Sequence, residues 1–113
     1  MSVNDHRIPL ASNTELFEIK PGNNNKSATF IFGNEDHTLG NSLRYVLSQR
    51  NEVDFVGYSV PHPYEPKLNI RLQTKENYTA VNVLKDGLKD LEETANILDD
   101  VFIQSIKDYY RIT

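Results

Sequence analysis

An α+β fold with the element order β-β-α-β-β-α is predicted by three features of this sequence. Short runs of β-branched and aromatic residues are bounded by turn residues, and one stretch near position 40 combines an N-cap with helical spacing of apolar residues. The C-terminal stretch holds a single uninterrupted helical stripe. Two helices with one apolar face each, laid on one face of a small, mainly antiparallel sheet, are the layered arrangement that buries both kinds of surface.

Residues 1–13 are polar and aperiodic and are expected to form a flexible N-terminal tail, leaving 14–113 as a single domain. Leu16, Phe17 and Ile19 predict a first strand. Pro21-Gly22-Asn23-Asn24-Asn25-Lys26 is turn chemistry, with proline presetting φ and glycine and asparagine tolerating positive φ. Ala28 to Phe32 completes a hairpin. Gly33-Asn34-Glu35-Asp36 ends it, and Asp36 is placed to cap the next helix. From Thr38, apolar residues recur at Leu39, Leu43, Val46 and Leu47, one face of a helix closed by Asn51, with Gly40 in its first turn.

Val53 to Val60 reads as a strand with Gly57 as a candidate bulge. Pro61-His62-Pro63-Tyr64-Glu65-Pro66 is a loop, because three of its residues lack an N–H. Leu68, Ile70 and Leu72 alternate with Asn69, Arg71 and Gln73, a strand with one wet face that closes a second hairpin. From about Thr79 to Tyr109, apolar residues fall at Leu84, Leu88, Leu91, Ala95, Leu98, Phe102, Ile106 and Tyr109, in steps of 4, 3, 4, 3, 4, 4 and 3. About 30 residues at 1.5 Å each make a rod of roughly 45 Å. A compact domain of this length is roughly 35 Å across. The helix outruns its own body, so its distal stripe needs apolar surface from elsewhere.

The chain has 113 residues, 38% of them hydrophobic and 25% charged, which fits one globular domain. With no cysteine there is no disulfide framework and no thiolate metal site or nucleophile, and an intracellular home is expected. No apolar run exceeds three residues, against roughly 20 for a membrane-spanning helix, and residues 1–7 have no apolar core of a secretory signal. A net charge of −4, with basic residues scattered among acidic ones, argues against a freestanding nucleic-acid binder. Residues 84–113 carry four cations against seven carboxylates, read as a solvated outer helix face.

Little in the sequence nominates catalysis. His6, His37 and His62 lie far apart and have no metal-ligand partner at helical spacing. Glu35-Asp36-His37 superficially pairs an acid with an imidazole, but the capping role accounts for the carboxylates. Gly33 and Gly40 make no phosphate loop, and Ser42 and Ser48 have no base near them in sequence. Arg44 follows Leu43 at the edge of the apolar face, where a guanidinium either covers apolar surface with its stem or anchors a partner.

The segments Glu35-Asp36-His37-Thr38-Leu39-Gly40-Asn41-Ser42-Leu43-Arg44-Tyr45, Phe55-Val56-Gly57-Tyr58, His62-Pro63 and Leu68-Asn69-Ile70-Arg71-Leu72-Gln73-Thr74 resemble the small alpha-like subunits of RNA polymerases. The resemblance spans roughly residues 28–110. It is strongest to the branch shared by eukaryotic polymerases I and III, with the polymerase II counterpart as the alternative. It implies a non-catalytic assembly subunit, an alpha-like dimerisation domain over 14–113, needing no cofactor or metal and residing in the nucleus, including the nucleolus. A larger alpha-like subunit would dock on Leu39, Leu43, Val46, Leu47, Leu84, Leu88, Leu91, Leu98 and Phe102. The second-largest polymerase subunit would meet Asn41 and Arg44. No direct nucleic-acid or membrane binding is implied. A homodimeric scaffold and a small enzyme using Asp36 and His37 are the readings from other classes.

Overall fold

A computed structural model describes residues 16–112, and within them the order is β1 (Phe17–Pro21), β2 (Ser27–Gly33), α1 (His37–Ser48), β3 (Val53–Ser59), β4 (Lys67–Thr74) and α2 (Ala80–Ile112). The tail expected over 1–13 lies outside the described residues. All strand pairs are antiparallel, in the order β1-β2-β4-β3, so each predicted hairpin forms and the two join through β2 and β4. The α+β class and element order are those expected.

Register decides which residues meet the helices. Phe30 pairs with Ile70, Ala28 with Leu72 and Phe32 with Leu68, and across β4 the same side continues into Val56 and Tyr58 of β3. Leu68, Ile70, Leu72 and Phe30 are fully buried, while Arg71 and Gln73 face outward on the sheet's wet side. Both helices cover the apolar face. Leu43, Val46 and Leu47 come from α1, and Ala80, Val83 and Leu84 from α2.

Local details follow residue chemistry. Asp36 is the N-cap of α1, its Oδ1 accepting from the Thr38 N–H at 3.0 Å. The helix ends at Ser48 with Gln49 as C-cap, three residues short of the Asn51 expected, because the Gln49 N–H already returns to the carbonyls of Val46 and Leu47. Positive φ is found at Asn34 and Asn77, not in the 21–26 turn, in keeping with asparagine's tolerance of the left-handed region. The irregularity in β3 lies between Val53 and Phe55 rather than at Gly57, which stays in register opposite Arg71. The buried Thr74 hydroxyl lies within hydrogen-bond distance of the Lys26 and Tyr78 carbonyls, at 3.2 and 3.1 Å. It ties the end of β4 to the β1–β2 turn, whose Asn25 carbonyl accepts from the Ala80 N–H where α2 begins.

The long helix dominates the shape. The radius of gyration is 17.2 Å and the extents are 60 × 37 × 21 Å, against a radius of roughly 13 Å for a compact chain of about 100 residues.

Candidate assembly interface

The start of α2 is set by Thr79, whose Oγ1 accepts from the Asn82 N–H at 3.3 Å. Its first two turns dock on the body through Ala80, Val83, Leu84 and Gly87. Gly87 allows the two helices to approach: a Cβ there would stand 2.4 Å from Leu47 Cδ2. Gly40 does the same for α1 over the sheet, where a Cβ would meet the Tyr58 ring at 2.5 Å. Contact with the body continues as far as the partly buried Leu91, and from Glu92 to Ile112 every described residue is exposed. No helix among the described residues is long and apolar enough to cross a membrane.

The nine seam residues expected from the sequence therefore separate. Leu43, Leu47 and Leu84 are at most 4% exposed and Val46 is 9% exposed, all consumed by the chain's own core. This corrects their assignment to an open seam. The sheet supplies the apolar surface opposite them, and of the four only Val46 reaches a surface groove. Leu39 and Leu91 are half-buried at the margin of that core. Leu88, Leu98 and Phe102 are open, the last two 68% and 61% exposed.

The open surface is wider than the single predicted stripe. Ile97, Val101, Ile103 and Tyr110 are also exposed, and at 100° per residue they flank Leu98 and Phe102 on both sides. Gln104, Lys107, Asp100 and Arg111 gather on the remaining side, while Asp99 and Asp108 interrupt the two flanks of the band. A template that follows one face passes over residues one position away from it, and the signal that identifies them is the high apolar density of 97–110 as a whole. Isolated exposed apolar residues are ordinary, but a contiguous band along a protruding helix marks an interaction surface.

Asn41 and Arg44 sit one turn apart on α1 and bond each other, Arg44 Nη2 donating to Asn41 Oδ1 at 2.8 Å. Together with Tyr45, Val46, Leu91 and Thr94 they line a groove of about 400 Å³ where α2 leaves the body. Arg44, half-buried as a whole, is thus held on the wall of the groove by its bond to Asn41.

The residues weighed for catalysis have structural partners. Asp36 caps α1, His37 Nδ1 lies 3.1 Å from the Tyr58 hydroxyl, and the hydroxyls of Ser42 and Ser48 donate to the Thr38 and Tyr45 carbonyls. His37 and His62, unrelated in sequence, line one cleft of about 560 Å³ with Asp36, Tyr64 and Glu65. No group of three or more His, Cys, Asp or Glu placed to hold a metal occurs among the described residues. His6 lies outside them.

Charges also anchor the start of α2. Arg50, in the turn after α1, bonds Glu52 and Asp90 and lies 3.7 Å from Asp86. The Glu52 carboxyl is held below its ordinary value of 4.5 chiefly by its own backbone N–H, with help from Arg50 and against the opposing effects of burial and of Asp90. A carboxyl with a lowered folded pKa contributes stability above its unfolded pKa, and that contribution is lost as pH falls through the folded value. The melting temperature should therefore drop on acidification below about pH 4.5, and Glu52→Gln should flatten that limb. Because Lys67 likewise holds the Glu65 carboxyl low, the check is the difference between the two melting-temperature–pH curves. Superimposable acid limbs would remove Glu52 from the network.

Comparison with known proteins gives concordant results. Residues 27–101 match the RNA polymerase Rpb3/Rpb11 dimerisation domain. Over 101 residues the chain is 46% identical to DNA-directed RNA polymerases I and III subunit RPAC2 of Schizosaccharomyces pombe, covering 88% of this chain and 81% of that protein. It is 51% identical over 81 residues to the protein of the same description from Saccharomyces cerevisiae, covering 72% of this chain but only 57% of that one. The crystal structure of DNA-directed RNA polymerase subunit L from Thermoplasma acidophilum superposes with a TM-score of 0.68 at 20% identity, covering 82% of this chain and 90% of the other, a likeness of fold.

Proposed function

The chain belongs to the family of RNA polymerase Rpb3/Rpb11 dimerisation domains, and from that membership we propose that it is the small alpha-like subunit of RNA polymerases I and III. It pairs with a larger alpha-like chain and so nucleates polymerase assembly. The observation that carries this reading is the distal half of α2, every residue of which is exposed from Glu92 to Ile112 while Leu98, Val101, Phe102, Ile106 and Tyr109 line one face of it. Membership of a dimerisation-domain family supports reading that surface as a pairing surface.

In this reading residues 14–113 act as one dimerisation domain. The larger alpha-like chain covers Leu88, Leu98 and Phe102 along with Ile97, Val101, Ile106 and Tyr109, and its edge reaches Leu39 and Leu91. Leu43, Val46, Leu47 and Leu84 stiffen the platform from within. Asn41 and Arg44, at the groove between the helices, dock the second-largest subunit. The chain has no catalytic residue of its own, makes no specific contact with nucleic acid, and works in the nucleus, including the nucleolus. The relatives are polymerase subunits of the dimerising type rather than catalytic ones.

Light scattering after size exclusion tests this, on the full chain alone and co-expressed with a larger alpha-like polymerase subunit. A clean 1:1 species with the partner, from a chain that aggregates without it, is the expected result. A stable homodimer or a well-behaved monomer that ignores the partner would overturn it.

A further inference from the structure

Seven carboxylates in the C-terminal stretch read as a solvated outer face, yet two of them, Asp86 and Asp90, are turned toward one cation on the body. Arg50 Nη1 donates to Asp90 Oδ2, its Nε donates to Glu52 Oε2 at 3.1 Å, and its Nη2 lies 3.0 Å from Glu52 and 3.7 Å from Asp86. Glu52 is itself anchored, its carbonyl accepting from the Lys75 N–H at 2.9 Å. The two central side chains are largely shielded, Arg50 at 25% and Glu52 at 19% exposure. This cluster stands at a particular place along α2. Among the described residues Leu91 is the last one of α2 packed against the core, and Asp90, next to it, bonds Arg50 on the body.

We propose that Arg50 is a positioning residue for partner pairing, a clamp that fixes the direction in which the distal half of α2 leaves the body. The inference rests on the assembly reading above and deepens it. Beyond Leu91 the helix runs 21 more residues, to Ile112, a lever of roughly 32 Å. A change of about 10° at its root carries the tip roughly 5 Å, more than half the 8–10 Å between packed helix axes. Side-chain packing at the root holds the crossing angle only within about 15–20°, a range wider than the change considered. A guanidinium fork hydrogen-bonded to both Glu52 and Asp90 is directional. Without it Glu52, Asp86 and Asp90 face one another uncompensated, with the last two one turn apart on the same helix face, and the root is pushed away from the turn.

The chain has no cysteine, so Lys20→Cys on β1 and Lys107→Cys on the polar side of α2 accept a donor and an acceptor dye without further changes. Single-molecule energy transfer on the full chain, dilute enough to prevent self-association, reads the helix direction. Titration with a larger alpha-like subunit reads pairing. Arg50→Gln should shift or broaden the distance by about 5 Å and weaken pairing roughly three- to tenfold. Arg50→Glu combined with Asp90→Arg should restore both, which a merely structural loss would not allow. Asp90→Asn removes the same contact more mildly and replaces Arg50→Gln if that variant fails to fold. An unchanged distance would overturn the clamp, and a changed distance with unaltered pairing would overturn its role in positioning. If the unsubstituted chain fails to pair while its distance still responds to Arg50→Gln, the assembly reading is what has failed.

Discussion

Replacing Leu98 and Phe102 together by aspartate is expected to abolish pairing with the larger alpha-like chain while leaving the fold of this one intact. Both side chains are mostly in water in the structure, at 68% and 61% exposure, so the free chain gives up almost no burial. The intrinsic helix penalty for aspartate is about 0.5 kcal/mol per residue, small beside the docking of a 33-residue helix through its first turns. In the complex the balance reverses. In the proposed seam each carboxylate would be stripped of water against apolar surface, at several kcal/mol apiece. Leu88 is a poorer probe, because at 37% exposure it borders the body and its replacement mixes folding with pairing. The check is size exclusion with light scattering for pairing and far-UV circular dichroism for helix content. A double variant that still forms the 1:1 species would remove these residues from the seam.

The second large effect is expected at Gly87, where valine should destabilise the chain by about 3 kcal/mol and lower its melting temperature by roughly 10–20 °C. A Cβ at this position stands 2.4 Å from Leu47 Cδ2 and 2.9 Å from its Cγ. Leu47 has nowhere to go, since it is fully buried in the cluster that joins α1, the sheet and α2. Relief requires the helices to separate, which exposes Leu43 and Leu84 and tilts α2 at its root. Valine also adds two methyl groups beyond that Cβ. Thermal unfolding followed by circular dichroism measures the effect, and Leu47→Ala in the Gly87→Val background should recover part of it by making room. A melting temperature within two or three degrees of the unsubstituted chain would mean that the helix contact is looser than the structure places it.

How far the sequence could be read depended on the range of the interactions involved. The alternation of Leu68, Ile70 and Leu72 with Asn69, Arg71 and Gln73 names both faces of β4, because strand side chains point to opposite sides whatever the neighbours are. Asp36 caps α1 through a bond that spans only two residues. Gly57 is not the site of the irregularity in β3, because glycine is a common but not a required bulge residue, and the register shift near Asp54 is set by pairing with β4. The extent of α2 beyond its body was legible from length alone.

The candidate surface was only partly legible. Periodicity places Leu43, Leu47, Leu84, Leu98 and Phe102 on apolar faces but is blind to what lies opposite. The sheet and α1 reach along α2 only as far as Leu91, so the same stripe is core before that point and open surface after it. Ile97, Val101, Ile103 and Tyr110 gained meaning only once the helix was seen standing clear. The contacts of Arg50 with Asp86 and Asp90 join residues up to 40 positions apart, and no local pattern announces them.

By itself, then, the sequence determined the fold class, the order of its six elements, the length of the final helix and the resemblance that led to the polymerase family. Each of these rests on local spacing, local capping or ordered motifs. Only the tertiary structure decided which apolar residues are spent inside the chain and which remain for a partner. It also placed the charges that aim the long helix. Burial and ion pairing belong to the surfaces that meet, and a linear pattern holds just one of the two.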